Sequence, residues 1–120
     1  MQHLDESWLV ACLCADWCGT CREYRATFEA GAREHPSARF VWVDIEDHAD
    51  ALGDLDIENF PTLLIARGDE PRFLGTLLPH AATLTRTLEA AAEAPLAVAE
   101  EVSDIGTLIS AVRGVGERVR

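Results

Sequence analysis

The chain has 120 residues, of which 48% are hydrophobic, and a formal net charge of -11. Its ten basic residues are all arginines, and this acidic balance argues against nucleic acid or an anionic membrane surface as a partner. The sequence contains no run of the roughly 18 apolar residues that a membrane span needs. We therefore expect one globular domain that binds neither nucleic acid nor membranes.

The first predicted elements are a strand, a helix and a second strand. Residues Trp8–Cys14 are continuously apolar, which is typical of a central strand covered on both faces. Apolar residues at helical spacing begin at Cys18 and stop before His35 and Pro36, and a second strand is indicated from Arg39 to Ile45. This order predicts a βαβ unit, in which two parallel strands are joined by a right-handed crossover.

The second half of the pattern predicts a hairpin and a closing helix. We expect a short helix at Ala49–Leu52, and then strands at Thr62–Arg67 and Arg72–Gly75 that are joined by a Gly-Asp turn. Helical spacing of leucine and alanine from Leu77 to Ala91 predicts the core face of a closing helix. Pro95 then ends that helix.

The C-terminal residues differ in pattern from the rest of the chain. We expect a domain at 1–94 and an extension at 95–120 that packs on the same domain. Within the extension, Leu96–Ala99 indicates a short strand, and the spacing over Ser103–Val112 indicates an amphipathic helix.

A Cys-x-x-Cys motif begins the first predicted helix. Cys18 and Cys21 lie one helical turn apart on the same face, so their sulfur atoms can come within bonding distance. The sulfur of Cys18 would lie among unpaired backbone N–H groups at the positive end of the helix dipole, which favours the nucleophilic thiolate. An apolar strand followed by two cysteines at a helix N-terminus therefore predicts a site that forms and breaks a disulfide.

Cysteine usage and the first residues predict a cytoplasmic location. Met1–Ser7 contain two acidic residues and no lysine or arginine, whereas a secretory signal begins with a basic region. Structural disulfides are rare in the reducing cytoplasm, where a Cys-x-x-Cys motif indicates redox or metal chemistry.

Two further cysteines, Cys12 and Cys14, lie on one face of the first predicted strand. Inert packing is the first interpretation of both, because free cysteine is among the most buried residue types. The alternative is that Cys12 approaches Cys21 and takes up a shifted disulfide. Zinc bound by all four cysteines is a further hypothesis, but cysteines on a rigid strand and on a helix start do not converge freely, so we predict no metal ligand.

The order of these motifs resembles the thioredoxin superfamily. The resemblance covers residues 8–94 and is carried by Trp17-Cys18-Gly19-Thr20-Cys21, by Asn59-Phe60-Pro61-Thr62 and by Gly75. It implies a thioredoxin-like α/β fold, with a central mixed sheet of about four strands flanked by helices on both faces. The N-terminal strand and helix usual in the family would be absent, and the C-terminal extension would be added.

That arrangement would leave Arg39–Ile45 as an exposed hydrophobic edge of the sheet, which proteins normally cover. We expect Leu96–Ala99 and the helix at Ser103–Val112 to supply the cover. The rival hypothesis is that the edge pairs with a second subunit, so the sequence leaves both a monomer and a homodimer open.

The resemblance implies roles for the residues around the motif. Cys18 would be the attacking thiolate, Cys21 would resolve the mixed disulfide, and Trp17 would pack beside the two sulfur atoms. Supporting positions would be Gly19, Thr20, Arg22 and Cys12. Arg22, and Arg25 after it, either support the Cys18 thiolate or form surface salt bridges.

The resemblance also implies a substrate-binding side. Pro61 would be a cis-proline that faces the sulfur atoms, and Phe60 before it would offer its backbone to an extended substrate peptide by β-augmentation. Thr62 and Gly75 would complete this side of the site.

Four positions depart from the family pattern. Cys12 stands where a buried aspartate is usual, and Trp42 where a lysine often neighbours that acid, so both halves of a charged pair are missing together. Cys14 stands at a position that is usually aromatic. Thr20 replaces the usual proline between the cysteines, which suggests a reduction potential between about -270 and about -180 mV.

The predicted function is that of a thiol–disulfide oxidoreductase, acting as a disulfide reductase with no cofactor beyond a redox-active Cys18–Cys21 disulfide. Its partners would be protein or small-molecule disulfides and an upstream electron donor, either a reductase or glutathione. One alternative is a non-catalytic thioredoxin-like module for binding or redox sensing. Another is a protein whose cysteines bind zinc.

Overall fold

The structure is a mixed sheet with helices on both faces. The computed structural model describes residues 4–15, 18–48, 61–94 and 105–119. In chain order the elements are β1 (Trp8–Cys14), α1 (Gly19–Glu34), β2 (Arg39–Asp44), β3 (Thr62–Arg67), β4 (Glu70–Thr76), α2 (Ala81–Glu93), α3 (Ile105–Val115) and β5 (Glu117–Arg118). The helix predicted at Ala49–Leu52 and the strand predicted at Leu96–Ala99 lie outside the described residues.

Strand β1 is the centre of a five-stranded sheet in the order β4-β3-β1-β2-β5. It pairs in parallel with β2 and antiparallel with β3, and β3 pairs antiparallel with β4. All seven residues of β1 are buried, as its unbroken apolar sequence predicts. The βαβ unit and the hairpin are therefore confirmed, while the fifth strand was not predicted.

Neighbouring residues account for the boundaries of α1 and for the start of α2. Cys18 is the N-cap of α1 and His35 its C-cap, one residue before Pro36. Helix α2 begins at Ala81 rather than at Leu77, because the backbone N–H of Leu77 still donates to the carbonyl of Pro61 at 3.2 Å. The chain becomes helical after Pro79, with His80 as the N-cap.

The two faces of the sheet carry separate cores. On the first face, α1 and α2 cover residues that include Cys12, Cys14 and an aromatic cluster formed by Tyr24, Phe28, Phe40 and Trp42. On the second face, α3 covers the alternate residues of β1, which are Leu9, Ala11 and Leu13. Cys12, Cys14 and α1 are thus all placed on the same face of the sheet.

The outer edge of β2 is paired with the end of the chain. Strand β5 runs antiparallel to β2 opposite Val41 and Trp42, and the N–H of Val119 donates to the carbonyl of Phe40 at 2.9 Å. Helix α3, just before β5, reaches Val115 rather than ending at Val112 as predicted. The domain boundary predicted between 94 and 95 stays a prediction, because 95–104 lie outside the described residues.

Gly116 is required for β5 to approach β2. A Cβ atom at this position would lie 2.7 Å from Cβ of Val41 and 2.8 Å from the carbonyl oxygen of Val112. We expect Gly116→Ala to lower the free energy of unfolding by about 1–3 kcal/mol, the usual cost of an overpacked contact. Urea unfolding followed by tryptophan fluorescence measures the change.

Gly114→Ala is the matched control, since nothing lies within 4 Å of a Cβ built at Gly114. Because Gly114 lies in the last turn of α3, alanine there should leave stability unchanged or raise it by up to about 1 kcal/mol. Equal stability of the Gly116→Ala and Gly114→Ala proteins would contradict the docking of β5 against Val41.

Candidate functional site

Helix α1 positions Cys18 and Cys21 at its first turn. Cys18 has an extended backbone conformation as the N-cap, its N–H donates to Ala15, and its carbonyl accepts from Arg22. The Cys18 side chain is partly exposed, whereas Cys21 is only 1% exposed. One cysteine of the motif therefore reaches the surface and the other points into the core.

The disulfide in the structure joins Cys14 to Cys21, and Cys18 is a free thiol. This differs from the expected Cys18–Cys21 disulfide, and it corrects the interpretation of Cys14 as inert packing. The Cα atoms of Cys14 and Cys21 are 5.8 Å apart, close to the most common separation in disulfides. The shifted partner of Cys21 is Cys14, not Cys12 as the alternative supposed.

The geometry of β1 explains why Cys14 is the partner. Both strand cysteines face α1, but Cys14 is the last residue of the strand, next to the start of the helix. Cys12 lies two residues earlier in the strand, which places it about 6.6 Å further from the start of the helix. Its Sγ is 3.7 Å from Sγ of Cys14, so it contacts the disulfide without joining it.

Cys12 lies in an apolar environment at the position where the resemblance places an aspartate. Burial raises the pKa of the Cys12 thiol, and the positive charge of Arg25 opposes this rise to a smaller extent. Burial also raises the pKa of the Tyr24 hydroxyl, with a further contribution from Cys12. Within the described residues the Tyr24 hydroxyl has no hydrogen-bond partner.

The contact between Arg25 and Trp42 was not predicted from the sequence. The guanidinium carbon of Arg25 lies 5.1 Å from the centre of the Trp42 ring, and Trp42 is directly opposite Cys12 in the β1–β2 register. Arg25 also forms a salt bridge with Glu29 at 3.7 Å, so of the two roles weighed for this arginine the salt bridge is observed. The signal available in the sequence was the one-turn spacing of Arg25 from Cys21.

The remaining motif residues lie on the outer side of the helix start. Gly19 is exposed and Thr20 partly exposed. A Cβ atom on Gly19 would lie 3.7 Å from Nη2 of Arg22, an ordinary contact, so the guanidinium of Arg22 lies beside the residue that follows Cys18. Trp17, which was predicted to pack beside the sulfur atoms, lies outside the described residues.

The substrate side predicted from the resemblance is described in part. Thr62 is opposite Leu13 in the β1–β3 register. Pro61, the buried residue just before Thr62, therefore lies near the end of the sheet at which β1 ends with Cys14. Gly75, in β4, is partly exposed and is opposite Leu63 of β3. Phe60 lies outside the described residues, and so does the peptide bond that would be cis.

The raised pKa values predict that stability falls in alkaline solution. The folded protein keeps the protons of Cys12 and Tyr24, while the unfolded chain loses them from about pH 8.5 for cysteine and about pH 10 for tyrosine. The unfolded state then binds fewer protons, so the free energy of unfolding falls with rising pH, by up to about 1.4 kcal/mol per unit for each group.

Urea unfolding of the oxidised protein at several pH values between 8 and 10.5 measures this slope. The Cys12→Ala variant should show a smaller loss of stability between pH 9 and pH 10 than the unmodified chain, since one buried acid is gone. Identical slopes for the two proteins would contradict the burial argument.

Two negative findings concern the part of the chain that the structure describes. No helix there has both the length and the apolar character to cross a membrane. No group of three or more His, Cys, Asp or Glu side chains there is placed to hold a metal ion.

Comparison with known proteins identifies relatives of the chain. The family model described as thioredoxin matches residues 1–90. The thioredoxin of Mycoplasma genitalium is 35% identical over 51 residues, which are 42% of this chain and 50% of that protein. Thioredoxin H2-1 of Oryza sativa subsp. japonica is 32% identical over 56 residues, 47% of this chain and 41% of that protein. The chain thus spans about half the length of the curated relatives it matches or less.

Solved structures confirm the predicted thioredoxin-like fold. Thioredoxin of Fasciola hepatica superposes with a TM-score of 0.62 at 24% identity, covering 71% of this chain and 81% of that one. Thioredoxin F from spinach chloroplast superposes with a TM-score of 0.62 at 22% identity, covering 73% of each chain. At these identities the likeness concerns the fold alone.

Proposed function

This chain belongs to the thioredoxin family, and on that premise we propose that it is a thiol–disulfide oxidoreductase whose reacting pair is Cys18 and Cys21. The observation that carries the proposal is the placement of the two sulfurs at the start of α1. Cys18 is a free, partly exposed thiol at the N-cap, and Cys21 is buried one turn further on. An accessible attacking sulfur beside a protected one is what stepwise disulfide exchange requires.

The proposed reduction begins with attack by the Cys18 thiolate on one sulfur of a substrate disulfide. A bond forms between Cys18 Sγ and that sulfur, the substrate S–S bond breaks, and the other substrate sulfur leaves as a thiolate that takes up a proton. The product of this step is a mixed disulfide between protein and substrate.

The second step releases the substrate. The Cys21 thiolate attacks Cys18 Sγ, the Cys18–Cys21 bond forms, and the second substrate sulfur leaves. Two electrons have then passed from the protein dithiol to the substrate. Because Cys21 must be free for this step, the reaction starts after the Cys14–Cys21 disulfide seen in the structure has been reduced.

The proposed substrates are protein or small-molecule disulfides. We propose that an extended peptide binds against the backbone at Phe60 and Pro61. The register of the next residue, Thr62, which is opposite Leu13 near the end of β1, supports this placement. An electron donor, either a reductase or glutathione, would restore the dithiol. The reductive direction and the cytoplasmic location remain predictions from the sequence.

The test is a redox titration of the full chain in defined glutathione buffers, combined with reduction of insulin disulfides by dithiothreitol as a turnover assay. We expect a two-electron step and turnover above the dithiothreitol background. A potential near or below the cytosolic glutathione poise, roughly -220 to -320 mV, would identify a reductase, and a higher one an oxidant or isomerase. Absence of both the step and the turnover would refute the proposal.

One observation favours a second candidate, a redox-sensing module. In the structure the resolving cysteine Cys21 is bonded to Cys14, which leaves Cys18 as a single thiol. In a sensor of this kind, Cys18 would be modified by alkylating reagents, and the disulfide state would change with the buffer potential. The protein would nevertheless not accelerate insulin reduction. The turnover assay therefore separates the two candidates.

A further inference from the structure

The sulfur atoms of the four cysteines run from the protein surface into the core. Cys18 is partly exposed, Cys21 is 1% exposed, and both Cys14 and Cys12 are fully buried. Cys21 is bonded to Cys14, and Cys12 Sγ follows 3.7 Å beyond Cys14 Sγ. Cys21 thus has two cysteines within reach, one on the solvent side and one on the core side.

We propose that Cys14 is a third redox-active cysteine, which takes Cys21 from Cys18 by intramolecular exchange. The oxidised protein then stores its disulfide in the core as Cys14–Cys21 and presents Cys18 again as a free thiol. This inference rests on the proposed function, because it uses the Cys18–Cys21 disulfide that substrate reduction would produce.

The exchange needs no external oxidant or reductant. The Cys14 thiolate attacks Cys21 Sγ, the Cys14–Cys21 bond forms, and the Cys18–Cys21 bond breaks. The electron pair of the broken bond leaves on Cys18 Sγ, and the proton lost from Cys14 is replaced by one taken up at Cys18. One disulfide and one thiol are present before and after the step.

The fold permits both partners of Cys21 without moving an element. Cys21 lies in the first turn of α1, one turn from Cys18 at the N-cap, so that pair has the helical spacing that brings two sulfurs together. Cys14 ends β1 on the face that α1 covers, with its Cα 5.8 Å from that of Cys21. We therefore expect the exchange to proceed by rotation of the cysteine side chains about their χ angles.

Cys12 is a positioning residue in this scheme. It lies in the middle of the sheet, opposite Trp42 and Leu63, and burial keeps its thiol protonated by raising the pKa. A protonated thiol can donate a hydrogen bond but cannot attack, and Cys12 Sγ donates to Cys14 Sγ in the structure. It therefore supports the charge that develops on Cys14 during exchange.

The stored disulfide would be protected from direct reduction. Neither Cys14 nor Cys21 is more than 1% exposed, so a reductant in solution has no access to either sulfur. Reduction must begin with Cys18, whose thiolate attacks Cys21 and returns the disulfide to the surface. Cys18 would thus control both the entry of oxidising equivalents into the core and their release.

The first experiment locates the disulfide in the oxidised full chain. The protein is oxidised with oxidised glutathione, its free thiols are labelled with N-ethylmaleimide in acidic denaturant, and the remaining cysteines are reduced and labelled with iodoacetamide. All four cysteines precede the first trypsin site, at Arg22, so tandem mass spectrometry must place the labels within one peptide.

We expect N-ethylmaleimide on Cys12 and Cys18 and iodoacetamide on Cys14 and Cys21. Iodoacetamide on Cys18 and Cys21, with Cys14 labelled as a free thiol, would overturn the relay while leaving the proposed function intact. Cys12→Ala removes an equally buried thiol from the same face of β1 and leaves both partners of the stored disulfide in place, so the Cys14–Cys21 disulfide should still form, but more slowly than in the unmodified chain because the hydrogen bond to Cys14 is lost.

The second experiment tests whether reduction of the Cys14–Cys21 disulfide begins with attack by Cys18. The Cys14–Cys21 disulfide of Cys18→Ser should be reduced by glutathione at least about tenfold more slowly than that of the unmodified chain, because the attack from within is lost. Equal rates would overturn the relay. Cys14→Ala and Cys14→Ser should both form the Cys18–Cys21 disulfide, and failure of that disulfide together with absence of insulin turnover would overturn the proposed function itself.

Discussion

Replacement of Cys18 by serine should abolish insulin reduction. Of the four sulfurs, that of Cys18 is the one with substantial exposure, since Cys12, Cys14 and Cys21 are each 1% exposed or less. A serine hydroxyl stays protonated where a thiol can ionise, so the nucleophile is lost while the shape of the side chain is kept. We expect a decrease of about a thousandfold, or to the dithiothreitol background, equivalent to about 4 kcal/mol of transition-state stabilisation.

The matched variant is Cys21→Ser, which keeps the attacking sulfur and removes the resolving one. It should accumulate a mixed disulfide between Cys18 and a substrate thiol, visible as a mass increase that dithiothreitol reverses. Both variants should have the circular dichroism spectrum of the unmodified chain. Turnover that persists in Cys18→Ser would mean that another cysteine attacks the substrate and that the assignment of roles is wrong.

The elements that position the site could be predicted because each has its own periodicity. Strand β1 is apolar throughout, and α1 places Cys21, Tyr24 and Phe28 on its buried face at helical spacing. Such patterns are local, so they survive whatever the rest of the chain does. Strand β5 has two residues, too few to show any period, and its pairing depends on the space that Gly116 leaves beside Val41.

The disulfide could not be predicted for a different reason. Helical spacing shows that Cys18 and Cys21 are within reach of one another, and strand alternation shows that Cys12 and Cys14 share a face. Neither pattern states where the end of β1 meets the start of α1. That contact is tertiary, and it is what places Cys14 rather than Cys12 beside Cys21.

The surroundings of Trp42 contain a charge that neither of the two departing positions supplies itself. The sequence indicated that the aspartate and lysine usual in the family are both absent, at Cys12 and Trp42. In the structure a positive charge is nevertheless near, because Arg25 on α1 stacks over Trp42. The charge comes from a different element, so no comparison of single positions could have found it.

Replacement of Phe28 by alanine should be the most destabilising single change in the aromatic cluster. The side chain is fully buried, and its ring centre lies 5.3 Å from that of Phe40 and 5.9 Å from that of Trp42. Loss of a buried phenylalanine costs about 3–5 kcal/mol, a large part of the roughly 5–15 kcal/mol that stabilises a domain. Thermal and urea unfolding of the oxidised protein measure the loss.

Two control variants separate this cavity effect from a general sensitivity of the chain. Leu78→Ala truncates a side chain that is 66% exposed and should change stability by less than about 0.5 kcal/mol. Tyr24→Phe keeps the ring one turn before Phe28 and removes a buried hydroxyl that has no partner among the described residues, so stability should be unchanged or higher.

Phe28 also packs α1, which carries Cys21, against the sheet that contains Cys14. If Phe28→Ala still folds, α1 loses its aromatic contacts with Phe40 and Trp42 of β2, and the Cys14–Cys21 disulfide remains as a covalent link between the start of the helix and β1. Reduction with dithiothreitol should then destabilise Phe28→Ala by more than it destabilises the unmodified chain, since neighbouring contacts do not contribute additively. Equal effects of reduction on the two proteins would mean that the disulfide and the aromatic cluster hold the helix independently.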